Sequence, residues 1–320
     1  MQRLSLFEAA PRRDFSSLRI HTREMAKKTV SLVLGSGGAR GLAHIGAIHW
    51  LQENDYEIRS VSGCSMGALI GGVFACGKLD VFEEWVRAIS KFDIVKLLDV
   101  SWGKQGLVEG ERIITTLKDL VGDRQIQELP IAYTAVAADI EREKEIWLKR
   151  GSLFDAIRAS ISLPLFFTPF EMNGMKLLDG GILNPVPIAP TFEDDTELTI
   201  AINLGASPTG AKHPQPKNVA MESNEVQANS VQAWINNFVE DLKKRAPIDN
   251  SGSWQMLDIA DQTFDAMQGA IARQKLAAYP PDHTIKIARD ACGTLEFYRA
   301  DEMITLGYET CAATLGTAAK

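Results

Sequence analysis

Short apolar runs that end in glycine-containing turns, each followed by apolar residues at helical spacing, dominate the N-terminal part of the chain. Residues 29–34 are apolar and β-branched and lead into the glycine-rich segment 35–41, which predicts a buried strand and a tight turn. Apolar positions then recur at three- and four-residue spacing up to Asn54, which predicts a helix packed on a sheet. A second strand over 58–62 and a small-residue helix ending near Cys76 repeat the pattern, so we predict an α/β fold with a mostly parallel sheet.

Residues 80–122 are predicted to be largely helical, with two amphipathic segments joined by a glycine-containing connection. Apolar positions recur at helical spacing in both segments, so each segment has one face to bury. The predicted faces are Val81, Trp85, Ala88 and Ile89 in the first segment, and Ile113, Ile114, Leu117 and Leu120 in the second.

The next part of the chain predicts strands separated by one short helix. Residues 131–138 form a third predicted strand, and residues 145–148 are expected to pair with its end. Ser152 suits the N-cap of the following helix, because its hydroxyl can accept a hydrogen bond from a backbone N–H of the first turn. Residues 170–178 alternate around the Asn-Gly pair at 173–174, which predicts a β-hairpin.

The C-terminal part predicts two further strands, a loop and three helices. The strands cover 198–204 and 284–288, and the segment 205–225, rich in proline and polar residues, predicts a loop or mobile lid. The stripe of the first helix favours the core or a subunit contact over a membrane surface, because its polar face lacks a cationic excess. The apolar stripes are Val231, Trp234, Ile235, Phe238, Val239 and Leu242 in the first helix and Ala260, Phe264, Met267 and Ile271 in the second, and the last helix begins near Asp301.

Composition and charge narrow the classes of function. The chain has 320 residues and a formal net charge of −7, so it lacks the basic surface typical of nucleic-acid-binding proteins. Its four cysteines show neither metal-ligand spacing nor a disulfide framework. No run approaches the ~18 apolar residues of a membrane span. We therefore expect a protein that is cytoplasmic or peripheral to the inner membrane, with a poorly ordered N-terminal extension over 1–28 that lacks the apolar region of a secretory signal.

The sequence Gly63-Cys64-Ser65-Met66-Gly67 lies between a predicted strand and a predicted helix, which is the context of a nucleophilic serine. The two glycines remove Cβ atoms that would collide where chain segments come close. The helix that begins at Met66 points backbone N–H groups and its positive dipole end towards the serine, which suits an oxyanion. We predict that Ser65 is a nucleophile, provided that a neighbouring base takes its proton.

The segment Gly35-Ser36-Gly37-Gly38-Ala39-Arg40-Gly41 is a second candidate part of a catalytic site. It lacks the Gly-Lys-Ser/Thr ending of a phosphate-binding loop and the glycine spacing of a dinucleotide-binding loop. What remains is a run of backbone N–H groups at a helix N-terminus. Such a run can stabilise the negative oxygen that forms when a serine attacks an ester carbonyl, or it can be a tight turn only.

The residues alone leave two candidates for the base. Asp179-Gly180-Gly181 offers a carboxylate followed by glycines that allow the serine loop to approach. An unperturbed aspartate, with a pKa near ~3.9, is a weak base for an alcohol unless burial raises that pKa. His283 is the alternative, because Ser65, Asp179 and His283 follow the chain order of a hydrolase triad. The other histidines are interpreted as surface or structural residues: His21, His44, His49 and His213.

Taken together, these motifs resemble the patatin-like phospholipase family, and more closely its bacterial branch related to the neuropathy target esterase catalytic domain. The likeness spans about residues 29–205, with all landmarks in order. The landmarks are the loop from Gly35 to Gly41, the serine sequence from Gly63 to Gly67, Ala156 to Ser160 with Pro164, Asp179-Gly180-Gly181, and Asn184-Pro185. Two positions depart from the family pattern, since Ser36 and Leu165 stand where many members have glycine.

The resemblance implies a three-layer α/β/α fold with a catalytic core over 29–205 and a C-terminal part, 206–320, that completes the same domain. It implies a serine acyl hydrolase, without metal or cofactor, that cleaves a phospholipid or lysophospholipid ester through an acyl-enzyme. The implied site residues are Ser65 as nucleophile, Asp179 as base, and backbone N–H groups around Gly37, Gly38 and Ala39 as the oxyanion hole, with Arg40 as the basic residue of the loop. With the N-terminus of the helix after Ser65, we predict the oxyanion hole to comprise Gly37, Gly38, Ala39, Arg40 and Met66. A catalytically silent regulatory or scaffold protein with the same fold is the alternative from another class.

Overall fold

The computed structural model describes residues 27–89, 110–164, 166–209 and 252–316. Its centre is an eight-stranded sheet. The strands are β1 (Lys28–Leu34), β2 (Tyr56–Cys64), β3 (Ala132–Asp139), β4 (Lys144–Leu148), β5 (Phe170–Met172), β6 (Met175–Asp179), β7 (Leu198–Ala206) and β8 (His283–Ala288). Their order is β5-β6-β3-β2-β1-β7-β8, and β4 also pairs with β3. Strands β3, β2, β1, β7 and β8 are parallel neighbours. Strands β4 and β6 are antiparallel to β3, and β5 is antiparallel to β6.

The described helices connect and cover these strands. They are α1 (Ala43–Glu53), α2 (Met66–Ala75), α3 (Leu79–Ala88), α4 (Glu111–Val121), α5 (Leu153–Ser160), α6 (Gly252–Ala278) and α7 (Ala300–Leu315). The predicted strands and the predicted helices of these ranges are confirmed, with ends that differ by a few residues. Ser152 caps α5 as predicted, since its Oγ accepts a 3.2 Å hydrogen bond from the backbone N–H of Asp155.

Helices pack against both faces of the sheet. Leu32 and Leu34 of β1 belong to the main core, together with apolar residues of α1, α2, α5 and α7. Val33 points to the opposite face, where it joins a smaller cluster that includes Ala272 and Leu276 of α6. Burial on both faces explains why β1 is a continuous apolar run rather than an alternating one. The predicted three-layer architecture with a mostly parallel sheet is confirmed.

Helix α7 packs closely on α1 because each helix carries a glycine at the contact. A Cβ atom added at Gly46 would lie 1.8 Å from the carbonyl oxygen of Ile304, and one added at Gly307 would lie 1.9 Å from that of Ala43. The two backbones therefore touch directly. Helix α1 begins directly after the glycine-rich segment 35–41. By fixing the position of α1, α7 also fixes the C-terminal end of that segment.

The buried face of α3 differs from the prediction. Its buried residues are Leu79, Phe82 and Val86, whereas Val81 is 38% exposed and Trp85 is only partly buried. The helix carries two apolar sets at helical spacing, and the set containing Leu79 and Phe82 faces the core. Periodicity alone does not distinguish between such sets.

The buried face of α6 was also predicted wrongly. Met267, a member of the predicted stripe, is 56% exposed, whereas Gln268 and Ala272 are buried. The physical reason is that α6 faces the rest of the protein with hydrogen-bonding side chains as well as apolar ones, and an apolar-periodicity argument assigns the hydrogen-bonding side chains to solvent. Four predictions lie wholly or partly outside the described residues: the extension over 1–28, of which 1–26 are not described, the connection between the two helical segments of 80–122, the loop over 205–225 beyond residue 209, and the helix over 231–242.

Candidate active site

The pairing register of β3 brings the two predicted catalytic residues together. Cys64, the last residue of β2, lies opposite Val136, and Asp179, the last residue of β6, lies opposite the next residue, Ala137. Strands β2 and β6 use the same edge of β3, because β4 occupies the other edge along this stretch. The end of β2 and the end of β6 therefore adjoin along this edge, and Ser65, which follows Cys64, lies next to Asp179.

Ser65 lies on a sharp, strained turn between β2 and α2. Its φ of 55° and ψ of −127° are a conformation that L residues rarely adopt, and the residue is almost buried, with 8% exposure. The turn is held by close packing at Gly67, where a Cβ atom would lie 2.1 Å from the carbonyl oxygen of Leu34. This is the elbow geometry that the Gly-x-Ser-x-Gly sequence predicts.

Ser160, at the end of α5, holds the elbow from below. Its Oγ accepts a 2.9 Å hydrogen bond from the backbone N–H of Ser65 and donates a 2.7 Å bond to the carbonyl oxygen of Val136. Both of its hydrogen bonds are buried, so Ser160 ties the backbone of the predicted nucleophile to β3. The sequence marked this serine as a landmark but gave no signal for this role.

The Asp179 carboxyl is fully buried. Its Oδ1 accepts a 2.7 Å hydrogen bond from the N–H of Gly181, while its Oδ2 has no hydrogen-bond partner of good geometry among the described residues. Burial raises the pKa of Asp179 to about 6, and hydrogen bonding from the Ser65 hydroxyl and the Gly181 N–H acts in the opposite direction. The Ser65 hydroxyl is thus close enough to influence the pKa of Asp179, although no hydrogen bond of standard geometry joins the two side chains. A carboxylate with this pKa is a stronger base than an exposed aspartate.

Two backbone N–H groups beside Ser65 remain available for an oxyanion. Gly38 and Met66 line the same cleft as Ser65, and their N–H groups make no hydrogen bond within the part of the chain that the structure describes. By contrast, the N–H of Ala39 donates to the carbonyl oxygen of Thr294 at 2.9 Å, and that of Arg40 donates to a carbonyl within the loop at 3.2 Å. The predicted donors Ala39 and Arg40 are therefore corrected, because hydrogen bonds within the fold occupy their N–H groups. Gly37 is not among the residues that line the cleft, so Gly38 and Met66 are the predicted donors that remain.

The Arg40 side chain is also engaged inside the fold. It is nearly buried, and its guanidinium forms two hydrogen bonds with the Asp265 carboxylate, at 3.0 and 2.7 Å. It donates further bonds to the carbonyl oxygens of Arg289, at 2.6 Å, and Gly37, at 3.2 Å. Arg40 holds the glycine loop in place and does not present its charge to a substrate at Ser65.

The start of the glycine loop is anchored by the backbone. The N–H of Gly35 donates to Ile202 of β7, and the N–H of Ser36 donates to the carbonyl oxygen of Pro185, which follows Asn184. His44, fully buried on α1, hydrogen-bonds the Gly35 carbonyl oxygen at 2.9 Å. Burial lowers the pKa of His44 to about 4, so this histidine is neutral and structural, as interpreted from the sequence.

The structure does not bring His283 to Ser65. His283 is the first residue of β8 and lies opposite Ile200, near the beginning of β7, whereas Ser65 follows the last residue of β2. Strands β7 and β1 lie between β8 and β2, a separation of about 14 Å across the sheet. The pairing registers place His283 level with Val61 of β2, which precedes Ser65 by four residues, so the two residues are also offset along the strands. The alternative triad with His283 therefore has no structural basis.

A large apolar cleft begins at Ser65. Its volume is about 860 Å³, including space open to solvent. Ser65, Met66 and Thr294 lie in its wall, and almost every other lining side chain is apolar. The apolar wall comes from α2, α3 and α4 and from the segments around α5 and before α7: Leu69, Phe82, Trp85, Val86, Ile89, Ile113, Leu117, Ile161, Leu163, Phe167, Leu295 and Phe297. Such a cleft can hold a hydrocarbon chain whose carbonyl end reaches the serine.

Comparison with known proteins places the chain in a family. A family model described as patatin-like phospholipase matches residues 32–192. An uncharacterized NTE family protein of Mycobacterium tuberculosis is 36% identical over 340 residues, covering 90% of this chain and 91% of that protein. Neuropathy target esterase sws of Drosophila melanogaster is 32% identical over 212 residues, covering 64% of this chain and 14% of that protein. Among solved structures, VipD from Legionella pneumophila is similar with a TM-score of 0.43 and 15% identity, over 91% of this chain and 67% of that one.

The chain belongs to the patatin-like phospholipase family, as its motifs predicted. This membership supports a carboxylic ester hydrolase that acts on lipid esters. Within the described ranges, no helix is both long enough and apolar enough to cross a membrane.

Proposed function

We propose that this protein is a serine acyl hydrolase that cleaves the carboxylic ester of a phospholipid or lysophospholipid, with Ser65 as nucleophile and Asp179 as base. The observation that carries the proposal is the position of a strained serine beside a buried carboxyl of raised pKa, at the start of an apolar cleft. A structural role alone does not account for a buried carboxyl oxygen without a well-aligned partner, because such a group destabilises the fold.

Acylation begins when the Ser65 oxygen attacks the carbonyl carbon of the ester and its proton passes to the Asp179 carboxylate. The carbonyl oxygen becomes an oxyanion, which the N–H groups of Gly38 and Met66 stabilise. Collapse of this intermediate breaks the bond to the leaving alcohol, which takes the proton from Asp179. The acyl group remains as an ester of Ser65 with its chain in the apolar cleft.

Deacylation repeats the same steps with water as the nucleophile. The Asp179 carboxylate accepts a proton from water as the water oxygen attacks the acyl carbon, and the same two N–H groups stabilise the second oxyanion. The fatty acid leaves as the Ser65 oxygen takes the proton back. Asp179 thus acts as base and acid in turn, which requires a carboxyl whose pKa lies closer to neutrality than that of an exposed aspartate.

The apolar lining of the cleft favours binding of the acyl chain of the substrate over binding of a polar group. Phe82 and Leu117 are almost fully buried in its wall, so a chain that reaches them exchanges water for apolar surface. Each buried methylene contributes about 0.8 kcal/mol. We therefore expect kcat/KM to rise with acyl length along a series of p-nitrophenyl esters until the cleft is filled.

The direct test compares Ser65→Ala, Asp179→Asn and His283→Asn in hydrolysis of a medium-chain p-nitrophenyl ester and of a lysophospholipid. The first two substitutions should abolish hydrolysis of both substrates, and His283→Asn should leave most of it. Activity retained in Ser65→Ala contradicts the proposal. A wild-type protein that hydrolyses neither substrate and does not react with a fluorophosphonate probe supports the catalytically silent alternative instead.

A further inference from the structure

Helix α6 meets the active-site loops through a line of polar side chains. Asp261, Asp265, Gln268 and Lys275 recur at spacings of four, three and seven, which places them on one face of the helix. Each of them contacts a different residue: Asp261 accepts hydrogen bonds from Thr294, Asp265 binds Arg40, Gln268 reaches Ser36, and Lys275 binds Glu145. Three of these four partners lie in the glycine loop or in the wall of the cleft.

The contact between Asp265 and Arg40 is the most constrained of the four. Both carboxylate oxygens of Asp265 accept from the guanidinium, at 3.0 and 2.7 Å, which is the paired geometry that fixes a guanidinium in its plane. The Arg40 side chain is 4% exposed and that of Asp265 is 21% exposed, so solvent weakens this pair less than a surface salt bridge. Asp265 is the only carboxylate that binds Arg40 among the described residues.

Arg40 transmits this constraint to one peptide of the glycine loop. Its Nε donates to the carbonyl oxygen of Gly37, as does its own backbone N–H, both at 3.2 Å. That carbonyl belongs to the same planar peptide unit as the N–H of Gly38, and the described chain contains no cis peptide bond. In a trans peptide the C=O and N–H bonds point in opposite directions. Holding the Gly37 oxygen towards Arg40 therefore turns the Gly38 N–H away from Arg40, and Gly38 lines the cleft beside Ser65.

We propose that Asp265 is a positioning residue for ester hydrolysis: it orients Arg40, and Arg40 fixes the Gly37-Gly38 peptide so that the Gly38 N–H faces the oxyanion. This inference rests on the proposed serine hydrolase function. Asp265 lies outside every motif of the sequence. In this proposal it affects the transition state indirectly, through Arg40 and the Gly37-Gly38 peptide. It also explains why the loop carries an arginine that does not face the cleft.

The variants Asp265→Asn and Asp265→Glu test the proposal. An asparagine offers one acceptor oxygen and places an NH2 group against the guanidinium, so the planar pair is lost with little change of volume. A glutamate keeps the charge and both acceptors, so it should restore part of the lost activity. The matched control is Lys275→Gln, which removes another ion pair of α6, at 2.6 Å from Glu145, without touching the glycine loop.

The readouts separate positioning from simple stability. For Asp265→Asn we expect kcat for a p-nitrophenyl ester to fall about tenfold to a hundredfold with KM nearly unchanged, because an oxyanion donor acts in the transition state only. Binding of a trifluoromethyl ketone, which forms an oxyanion adduct with serine, should weaken by the same factor. Binding of an ether lipid, which has no carbonyl, should not change. Lys275→Gln should leave kcat, KM and both affinities at their wild-type values.

Three results would contradict the inference. Each of them can be told apart from a failure of the proposed function. The first is an unchanged kcat in Asp265→Asn while Ser65→Ala is inactive. The second is an equal loss of affinity for the ketone and for the ether lipid, which indicates general distortion of the cleft. The third is a parallel loss of kcat and thermal stability in both Asp265→Asn and Lys275→Gln, which indicates that α6 docking alone matters. If Ser65→Ala retains activity, the proposed function itself fails first.

Discussion

Helices α6 and α7 both support the predicted active site, but the contacts by which they reach its loops differ in kind. Helix α7 lies directly on the backbone of α1, with Gly46 and Gly307 at the contact and no room for an added atom. Helix α6 contacts the glycine loop through Asp265 and Gln268, whose partners are Arg40 and Ser36. The first contact is made by close packing and the second by directional hydrogen bonds.

The two kinds of contact have different consequences: one fixes the position of a helix, and the other fixes the orientation of a peptide. Close packing fixes where α1 lies, and it fails when atoms are added, because packed backbones cannot move apart without losing the core. Hydrogen bonds determine how a peptide is oriented, and their loss changes direction before it changes the fold. We therefore expect substitutions at the glycine contact of α7 to affect stability, and substitutions of the α6 residues that contact the glycine loop, Asp265 and Gln268, to affect catalysis.

The largest expected effect comes from adding one methyl group to α7. In Gly307→Ala the new Cβ would lie 1.9 Å from a backbone oxygen of α1, so we expect a loss of about 4 kcal/mol or more in the free energy of unfolding. The matched control is Gly269→Ala on α6, where the nearest atom to a new Cβ is 3.5 Å away, and where alanine should stabilise the helix by about 0.5–1 kcal/mol. Urea denaturation measures both. Equal effects of the two substitutions would contradict the contrast between the helices.

The next effect contrasts two carboxyls beside the site. The pKa of Asp179 is about 6 in the folded protein and near ~3.9 in an unfolded chain, so its contribution to stability is fully present below pH ~4 and is lost as the pH rises through about 6. An asparagine does not ionise, so Asp179→Asn removes this pH-dependent loss. The change that the substitution causes in the free energy of unfolding should be more favourable at pH 8 than at pH 4 by roughly 3 kcal/mol. Asp265→Asn, which breaks an ion pair, should lower stability at pH 8. A destabilised Asp179→Asn protein at pH 8 would count against a strained carboxyl.

The pH dependence of catalysis follows from the same carboxyl. If Asp179 is the base, kcat/KM for an uncharged ester should fall about tenfold per pH unit below about pH 6, because the carboxyl must be ionised to accept the serine proton. The measurement is a pH profile of wild type and of Lys275→Gln, which should share one midpoint. A midpoint near pH 7 that disappears in a histidine variant would indicate a different base.

The smallest expected effect is the removal of the ion pair at the C-terminal half of α6. Lys275 and Glu145 are partly exposed, with side-chain exposures of 28% and 21%, so Lys275→Gln should cost about 1 kcal/mol or less. Differential scanning calorimetry measures the change. A loss comparable to that of Gly307→Ala would show that α6 is attached mainly through this pair rather than through several polar contacts.

Most of the fold was predictable because its signals are local. The apolar run of β1, the Ser152 cap and the Asn-Gly hairpin each depend on a few neighbouring residues, and each is confirmed. The faces of α3 and α6 were not predictable in the same way. Their orientation depends on which partner each helix meets, and a polar stripe that faces Arg40 has the same sequence pattern as one that faces water.

The same distinction between local and distant signals applies to the candidate site. Ser65 and Asp179 stand in motifs, and both were predicted from the sequence. Their approach depends on the register of β2 and β6 along β3, which no local pattern encodes. Which N–H groups of the glycine loop are already hydrogen-bonded was not predictable, because this depends on a distant acceptor such as the Thr294 carbonyl oxygen.

The measurement that tests the central claim most directly is the mass of the enzyme trapped during turnover. After acid quenching of a reaction with a slowly deacylating ester, peptide mapping should locate one acyl group on the peptide that contains Ser65. In Asp179→Asn this adduct should form much more slowly, while Asp265→Asn should form it at a reduced rate. An acyl group on any other residue, or a wild-type protein that turns over ester without an acylated Ser65, would contradict the account.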